Sequence, residues 1–111
     1  MTPSKFKQPN IFCLSEIISK MESRSSYFDT FLSSNSIALG VIRLKPDEND
    51  DQIPHPSDEL YYVIEGSGLI NIEGKDHVVR QGSFILVPVR AAHRFHENKN
   101  TLVVLYIFFN S

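Results

Sequence analysis

The sequence predicts an all-β fold, a barrel or jelly roll of about eight strands, with a short helix and an extended arm ahead of it. Three observations predict it. From Ile37 onward, short segments rich in Val, Ile, Phe and Tyr alternate with turn residues at intervals of about ten positions. Helical spacing of apolar residues occurs only before that point, at Ile17, Ile18 and Met21. No linker, internal repeat or low-complexity stretch divides the 111 residues, a length that suits one domain.

The elements follow in chain order. Residues 1–14 are polar with scattered apolar side chains, and Pro3 and Pro9 disfavour regular structure. This arm is expected to pair with an edge strand or a neighbouring subunit. Ser15 is read as the N-cap of a helix that ends near Arg24. Residues 1–36 are thus assigned to the arm and helix, and 37–111 to the barrel. Strands are expected at Ile37–Leu44, Glu59–Glu65, Gly68–Ile72, His77–Arg80, Ser83–Pro88, Ala92–His96 and Leu102–Phe109. The separators Gly66-Ser67, Glu73-Gly74-Lys75, Gln81-Gly82 and Asn98-Lys99-Asn100 carry turn chemistry. The acidic run Asp47-Glu48-Asn49-Asp50-Asp51 reads as a solvated loop. It lacks the spacing and glycine of an EF-hand.

Composition narrows the function. A hydrophobic share of 41% and a charged share of 22% match a soluble globular chain. The formal net charge of −2, with the eight Phe and four Tyr set apart from Lys and Arg clusters, argues against a nucleic-acid partner. The apolar run Leu102–Phe109 falls far short of the roughly 20 residues a membrane helix needs, so no membrane partner is expected. No apolar stretch follows Met-Thr-Pro-Ser-Lys5, so a cytoplasmic location is expected. Cys13 is the single cysteine and reads as a small buried or half-buried thiol.

Two segments carry the chemistry. In a strand that starts at Glu59, alternate side chains share a face, so Glu59, Tyr61 and Val63 point one way. A carboxylate facing the inside of a barrel is costly unless it is paired or bound to a cation. His55 lies four residues earlier. In the second segment, Gly82-Ser-Phe-Ile-Leu-Val-Pro88 ends a strand, and His93 opens the return with Phe95 on its own face. Two imidazoles and a carboxylate suit one divalent transition metal, Fe, Mn, Ni or Zn.

At this point the chain resembles a cupin. Glu59-Leu-Tyr-Tyr-Val-Ile-Glu-Gly66 is similar to the glutamate and glycine end of the first cupin block. Gly82-Ser-Phe-Ile-Leu-Val-Pro88, followed by His93, matches the spacing of the second. The resemblance covers roughly residues 37–109. Arg90 and Glu97 stand where the second block usually has glycine and asparagine. Ile53 stands where the first histidine of the usual pair belongs. Gln52, in a Gln-Ile-Pro-His run similar to that of some short cupins, is a candidate fourth ligand beside its reading as a solvated loop amide.

The resemblance implies a metal held by His55, Glu59, His93 and Gln52, and oxygenase, isomerase, lyase or cyclase chemistry on a small organic substrate. Tyr61 is the candidate acid or base, since a buried hydroxyl needs a partner. Phe95 is either core or a substrate contact. Arg43 either points inward to bind an anionic group or reaches solvent from an edge strand. His77 and His96 are expected at the surface. The second reading is a non-catalytic barrel that binds or senses a small ligand or metal, which the missing first histidine favours. A homodimer that packs strands or arms together is expected by analogy of fold.

Overall fold

The computed structural model describes residues 8–52 and 54–109. Expectations for Ile53 and for arm residues 1–7 lie outside the described residues. Helix α1 (Leu14–Arg24) precedes eight strands: β1 (Phe28–Ser33), β2 (Ile37–Leu44), β3 (Glu59–Glu65), β4 (Ser67–Ile72), β5 (Lys75–Arg80), β6 (Phe84–Val87), β7 (His93–His96) and β8 (Leu102–Phe109). They form two antiparallel sheets, one ordered β1-β2-β8-β3-β6 and the other β5-β4-β7. The architecture is the jelly-roll form of the predicted class.

Register sets which side chains meet inside. β2 lies along β8 for its full length, from Ile37 against Phe109 to Leu44 against Leu102. The other side of β8 pairs with β3, placing Tyr61 opposite Tyr106 and Glu59 opposite Phe108. The β4–β5 hairpin turns through Glu73 and Gly74, both at positive φ (51° and 85°), as a two-residue turn of the right twist requires. The Asn71 side chain closes it by accepting the Gly74 N–H at 3.0 Å.

Strict alternation gives the large sheet two different faces. Ile42 and Leu44 of β2, Tyr61 and Val63 of β3, and Leu102, Val104 and Tyr106 of β8 pack inward, against Ile70, Phe95 and Val79 from the small sheet. The intervening Val41 and Val103 face outward, where Ile17 and Met21 of α1 cover them. Burying a side chain such as Met21 contributes about 2 kcal/mol, which holds a helix of only 11 residues in place. Gly40 has a packing role. A Cβ there would overlap the phenol of Tyr106, whose ring crosses the β2 backbone to reach the Thr30 hydroxyl at 2.6 Å.

Several expectations need correcting. β1 lies within the stretch assigned to arm and helix, so the large sheet begins ahead of residue 37. Phe-Asp-Thr-Phe-Leu-Ser is an edge strand with no clean burial alternation, and its ladder to β2 defines it. The helix N-cap is Cys13, not Ser15. The Cys13 carbonyl accepts the Glu16 and Ile17 N–H groups at 3.1 Å, while the Ser15 hydroxyl meets the Cys13 thiol instead. That thiol is exposed rather than buried, and its hydrogen bonds to Ser15 and Glu16 hold it below the usual thiol range. Asp50, read as part of a solvated loop, is buried.

Candidate functional site

Glu59, Tyr61 and Val63 all point into the interior from β3, as period-two alternation requires. β7 sends His93 and Phe95 inward from the facing sheet. Glu59 and His93 therefore meet between the sheets, with Nε2 2.9 Å from Oε1 and both side chains almost wholly buried.

The hydrogen-bond directions follow from Asp50. Its carboxylate has only acceptors to offer, and it takes the Phe95 N–H at 2.8 Å, the Gln52 amide at 2.8 Å and the Tyr27 hydroxyl at 3.3 Å. Gln52 thus presents its oxygen to Tyr61, whose hydroxyl donates to it at 3.1 Å. The single Tyr61 proton is then spent. The 2.9 Å contact between His93 Nε2 and the Tyr61 oxygen needs the imidazole as donor. His93 Nδ1 donates to the Ala91 carbonyl at 2.8 Å. Both ring nitrogens therefore carry protons, and His93 is an imidazolium beside the Glu59 carboxylate. Burial works against that charge, but Glu59, the Ala91 carbonyl and Asp50 outweigh it and raise the imidazole above its usual value.

Glu59 is the exception in this network. The Nε2–H is turned to Tyr61, so the Oε1 approach at 2.9 Å is badly aligned for a hydrogen bond and acts chiefly through charge. Neither Glu59 oxygen accepts a hydrogen bond. A buried carboxylate in this condition costs free energy unless a cation or donor completes it.

The other predicted residues divide. Gln52 joins the network. Tyr61 is fully buried, and burial, with the Glu59 charge beside it, pushes its phenol well above the usual range, so it is held as a proton donor. Phe95 packs edge-on against Tyr61 at 4.9 Å and is buried. His55 stays apart, half-buried with its ring on Phe108 at 4.1 Å. Arg43 corrects the inward expectation. It shares the outer face with Val41 and pairs with Glu22 of α1. His96 binds Asp76 at 2.7 Å near the surface, and His77 is exposed.

The donor set does not fit a metal in this arrangement. Among the described residues, no three His, Cys, Asp or Glu side chains converge on one point. His93 Nε2 is turned to Tyr61 and Glu59, and the His55 ring lies on Phe108. Neither Glu59 oxygen accepts a hydrogen bond.

A cavity of about 290 Å³ lies between β1, β8 and the loop that precedes β3. Tyr106 and Phe108 of β8, Tyr27 and Phe28 at the start of β1, and Gln52 and His55 from the loop wall it. Gln52 also borders a second cavity of about 260 Å³ that reaches His93. Sequence reasoning missed Asp50, Tyr27 and Tyr106. Alternation along Leu102–Phe109 was a usable signal for Tyr106. Nothing in the acidic run distinguishes Asp50 from its neighbours.

Comparison with known proteins agrees with this fold. The cupin domain family model matches residues 40–109. An uncharacterised protein of Streptomyces coelicolor, SCO3923, is 31% identical over 97 residues, 87% of this chain and 92% of that protein. The dimethylsulfoniopropionate lyase DddW of Ruegeria pomeroyi is 30% identical over 64 residues, 58% of this chain and 42% of the lyase. Among solved structures, an RmlC-like cupin with a double-stranded β-helix fold from Methanocaldococcus jannaschii superposes with a TM-score of 0.69 at 15% identity, over 75% of this chain and 78% of that one. The plu4264 protein of Photorhabdus luminescens gives 0.66 at 21% identity, over 76% and 74%. With the two blocks, the strand order and the family match in agreement, the chain belongs to the cupin domain family.

Proposed function

We propose that this cupin binds a small organic molecule in the cavity walled by Tyr27, Phe28, Tyr106 and Phe108. The cavity itself carries the reading: it is concave, mostly apolar, and backed by a few fixed polar groups. The network from Asp50 to His93 holds Gln52 and Tyr61 rigid behind it, so the pocket is formed before a ligand arrives. A fragment screen by NMR tests this. Hits should shift the ring signals of Tyr106 and Phe108, and a Thr30→Trp variant, which fills the cavity from β1, should lose them. Hits that bind equally well to the variant would refute the cavity as the site.

A second reading is a metal-dependent enzyme, favoured by the Glu59 oxygens that accept no hydrogen bond. Glu59 and His93 would hold a divalent ion serving as Lewis acid, with His55 and Gln52 as further donors. His93 would first have to release its Nε2 proton and its bond to Tyr61, and His55 would have to leave Phe108. The name of the Ruegeria relative makes lyase activity the first assay under this reading. Metal content of untagged protein beside a His93→Ala variant decides it. Near one equivalent, lost in the variant, supports it; no retention after loading with Fe(II), Mn(II), Ni(II) or Zn(II) sinks it.

We also propose a homodimer. Val78 of β5 and Phe84 and Leu86 of β6 are large apolar side chains exposed on the edge strands of the two sheets. Light scattering that shows a monomer at all concentrations would overturn it. No helix among the described residues is long and apolar enough to cross a membrane.

A further inference from the structure

We propose that the ring-walled cavity takes a small organic cation, an amine or quaternary ammonium group seated against Tyr27, Phe28, Tyr106 and Phe108 with Asp51 at its rim. The inference rests on reading this cavity as the ligand site, and it names the ligand's charge.

The walls come first. Tyr27 and Phe28 meet edge to face at 5.2 Å on one side, and Tyr106 and Phe108 stand 5.2 Å apart on the other, with the His55 ring tilted against Phe108 at 4.1 Å and also on the cavity wall. Aromatic faces carry negative potential and attract a cation within about 6 Å of the ring centre. Gly40 lets the Tyr106 ring lie flat over the sheet and so helps shape this wall.

Charge comes second. Asp51 is the one formally charged residue lining the cavity, and no Lys or Arg lines it. Among the described residues no cation pairs with Asp51, while Arg24 is committed to Asp29 at 3.1 Å and Arg43 to Glu22. Behind the walls stands one further carboxylate, the buried Asp50, which holds the Tyr27 hydroxyl. Burial first, then the Asp50 charge, pushes the Tyr27 phenol up to about 12, so this wall hydroxyl stays neutral. An anionic ligand would find few donors here: the Gln52 amide is given to Asp50, the Tyr106 hydroxyl is engaged with Thr30, and the His55 ring is the donor that remains on the wall.

The test uses three probes that share a trimethyl head: choline, its neutral carbon isostere 3,3-dimethylbutan-1-ol, and the anion trimethylacetate. Binding is read from the ring signals of Tyr106 and Phe108 in the full chain. Choline should bind at least about tenfold more tightly than the isostere. Asp51→Asn, at an exposed position that leaves the fold intact, should weaken choline several-fold and leave the isostere unchanged. Equal binding of choline and the isostere, or preference for trimethylacetate, would overturn the cation inference while the cavity stands as a ligand site. If none of the three moves the ring signals, the cation inference falls, and the fragment screen with Thr30→Trp decides the cavity by itself.

Discussion

Asp50 and Glu59 lie at opposite ends of one buried network and are exposed to similar degrees, 5% and 1%. Their surroundings differ. Asp50 accepts three hydrogen bonds, from Phe95, Gln52 and Tyr27. Glu59 accepts none and has only the His93 charge beside it. The loop end of the network is complete, and through Gln52 and Tyr61 it dictates the protonation of His93. The strand end is left open. A satisfied buried group holds a shape, whereas an unsatisfied one marks a place that another group can complete.

The largest effect should come from breaking the completed end. Asp50→Ala strands the Phe95 N–H, the Gln52 amide and the Tyr27 hydroxyl together, and should cost about 3 kcal/mol in denaturant unfolding. It should also free Gln52 to turn, so the choline-dependent shifts at Tyr106 should broaden. A loss below about 1 kcal/mol would mean that water replaces the carboxylate readily and that Asp50 is no anchor.

The strand end should respond more weakly. Glu59→Gln leaves the buried His93 imidazolium without its counter-charge and, in the presence of a chelator, should cost about 2 kcal/mol. A loss below about 1 kcal/mol would show that His93 sheds its proton readily once Glu59 is neutral and that the pair holds little of the fold. The same variant sharpens the metal reading. If a divalent ion completes Glu59, added Zn(II) or Mn(II) should raise the melting temperature of the wild type and leave Glu59→Gln unmoved.

Two tyrosines probe the same ends through pH. Tyr27 beside Asp50 is raised to about 12 by burial and then by that charge. Tyr106 is raised to about 12 by burial, with Asp29 and Glu59 adding to the rise against the Thr30 hydrogen bond. A phenol whose folded value exceeds its ordinary value of 10 favours the fold while neutral. That contribution is complete below pH 10 and is lost as pH rises through about 12. Stability should therefore fall across this window, and ultraviolet titration of native protein should show two phenols ionising late together. Asp50→Asn should lower the Tyr27 step alone. If both steps move, the two ends are coupled more tightly than the hydrogen bonds imply.

The sequence made the strand end legible and left the loop end dark. β2, β3 and β8 have the predicted bounds, because each is a run rich in Val, Ile, Leu and Tyr flanked by turn residues. Glu59, Tyr61, His93 and Phe95 point inward, as alternation along their strands predicts. Asp50 sits in a loop, where no periodicity says which carboxylate turns in, and only the Phe95 N–H across the fold selects it. Cys13 misled because an unpaired thiol reads as core, yet it caps α1 from outside. β1 was missed because its ladder to β2 defines it more than its own pattern does. His55 has cupin spacing from Glu59, but spacing along a chain cannot foresee a ring that settles on Phe108.

Arg43 gives the smallest prediction and the check on the whole inward–outward assignment. It stands between Ile42 and Leu44, both inward, and so must face α1, where it pairs with Glu22. Glu22 is more than half exposed, so solvent screens the pair, and Arg43→Ala should cost less than about 1 kcal/mol. Choline binding should not change, since no part of the Arg43 side chain lines the ring-walled cavity. A several-fold change in ligand affinity, with stability intact, would mean that Arg43 acts on the interior across β2. The face assignment of that strand, and the cation-poor character of the cavity that depends on it, would then be wrong.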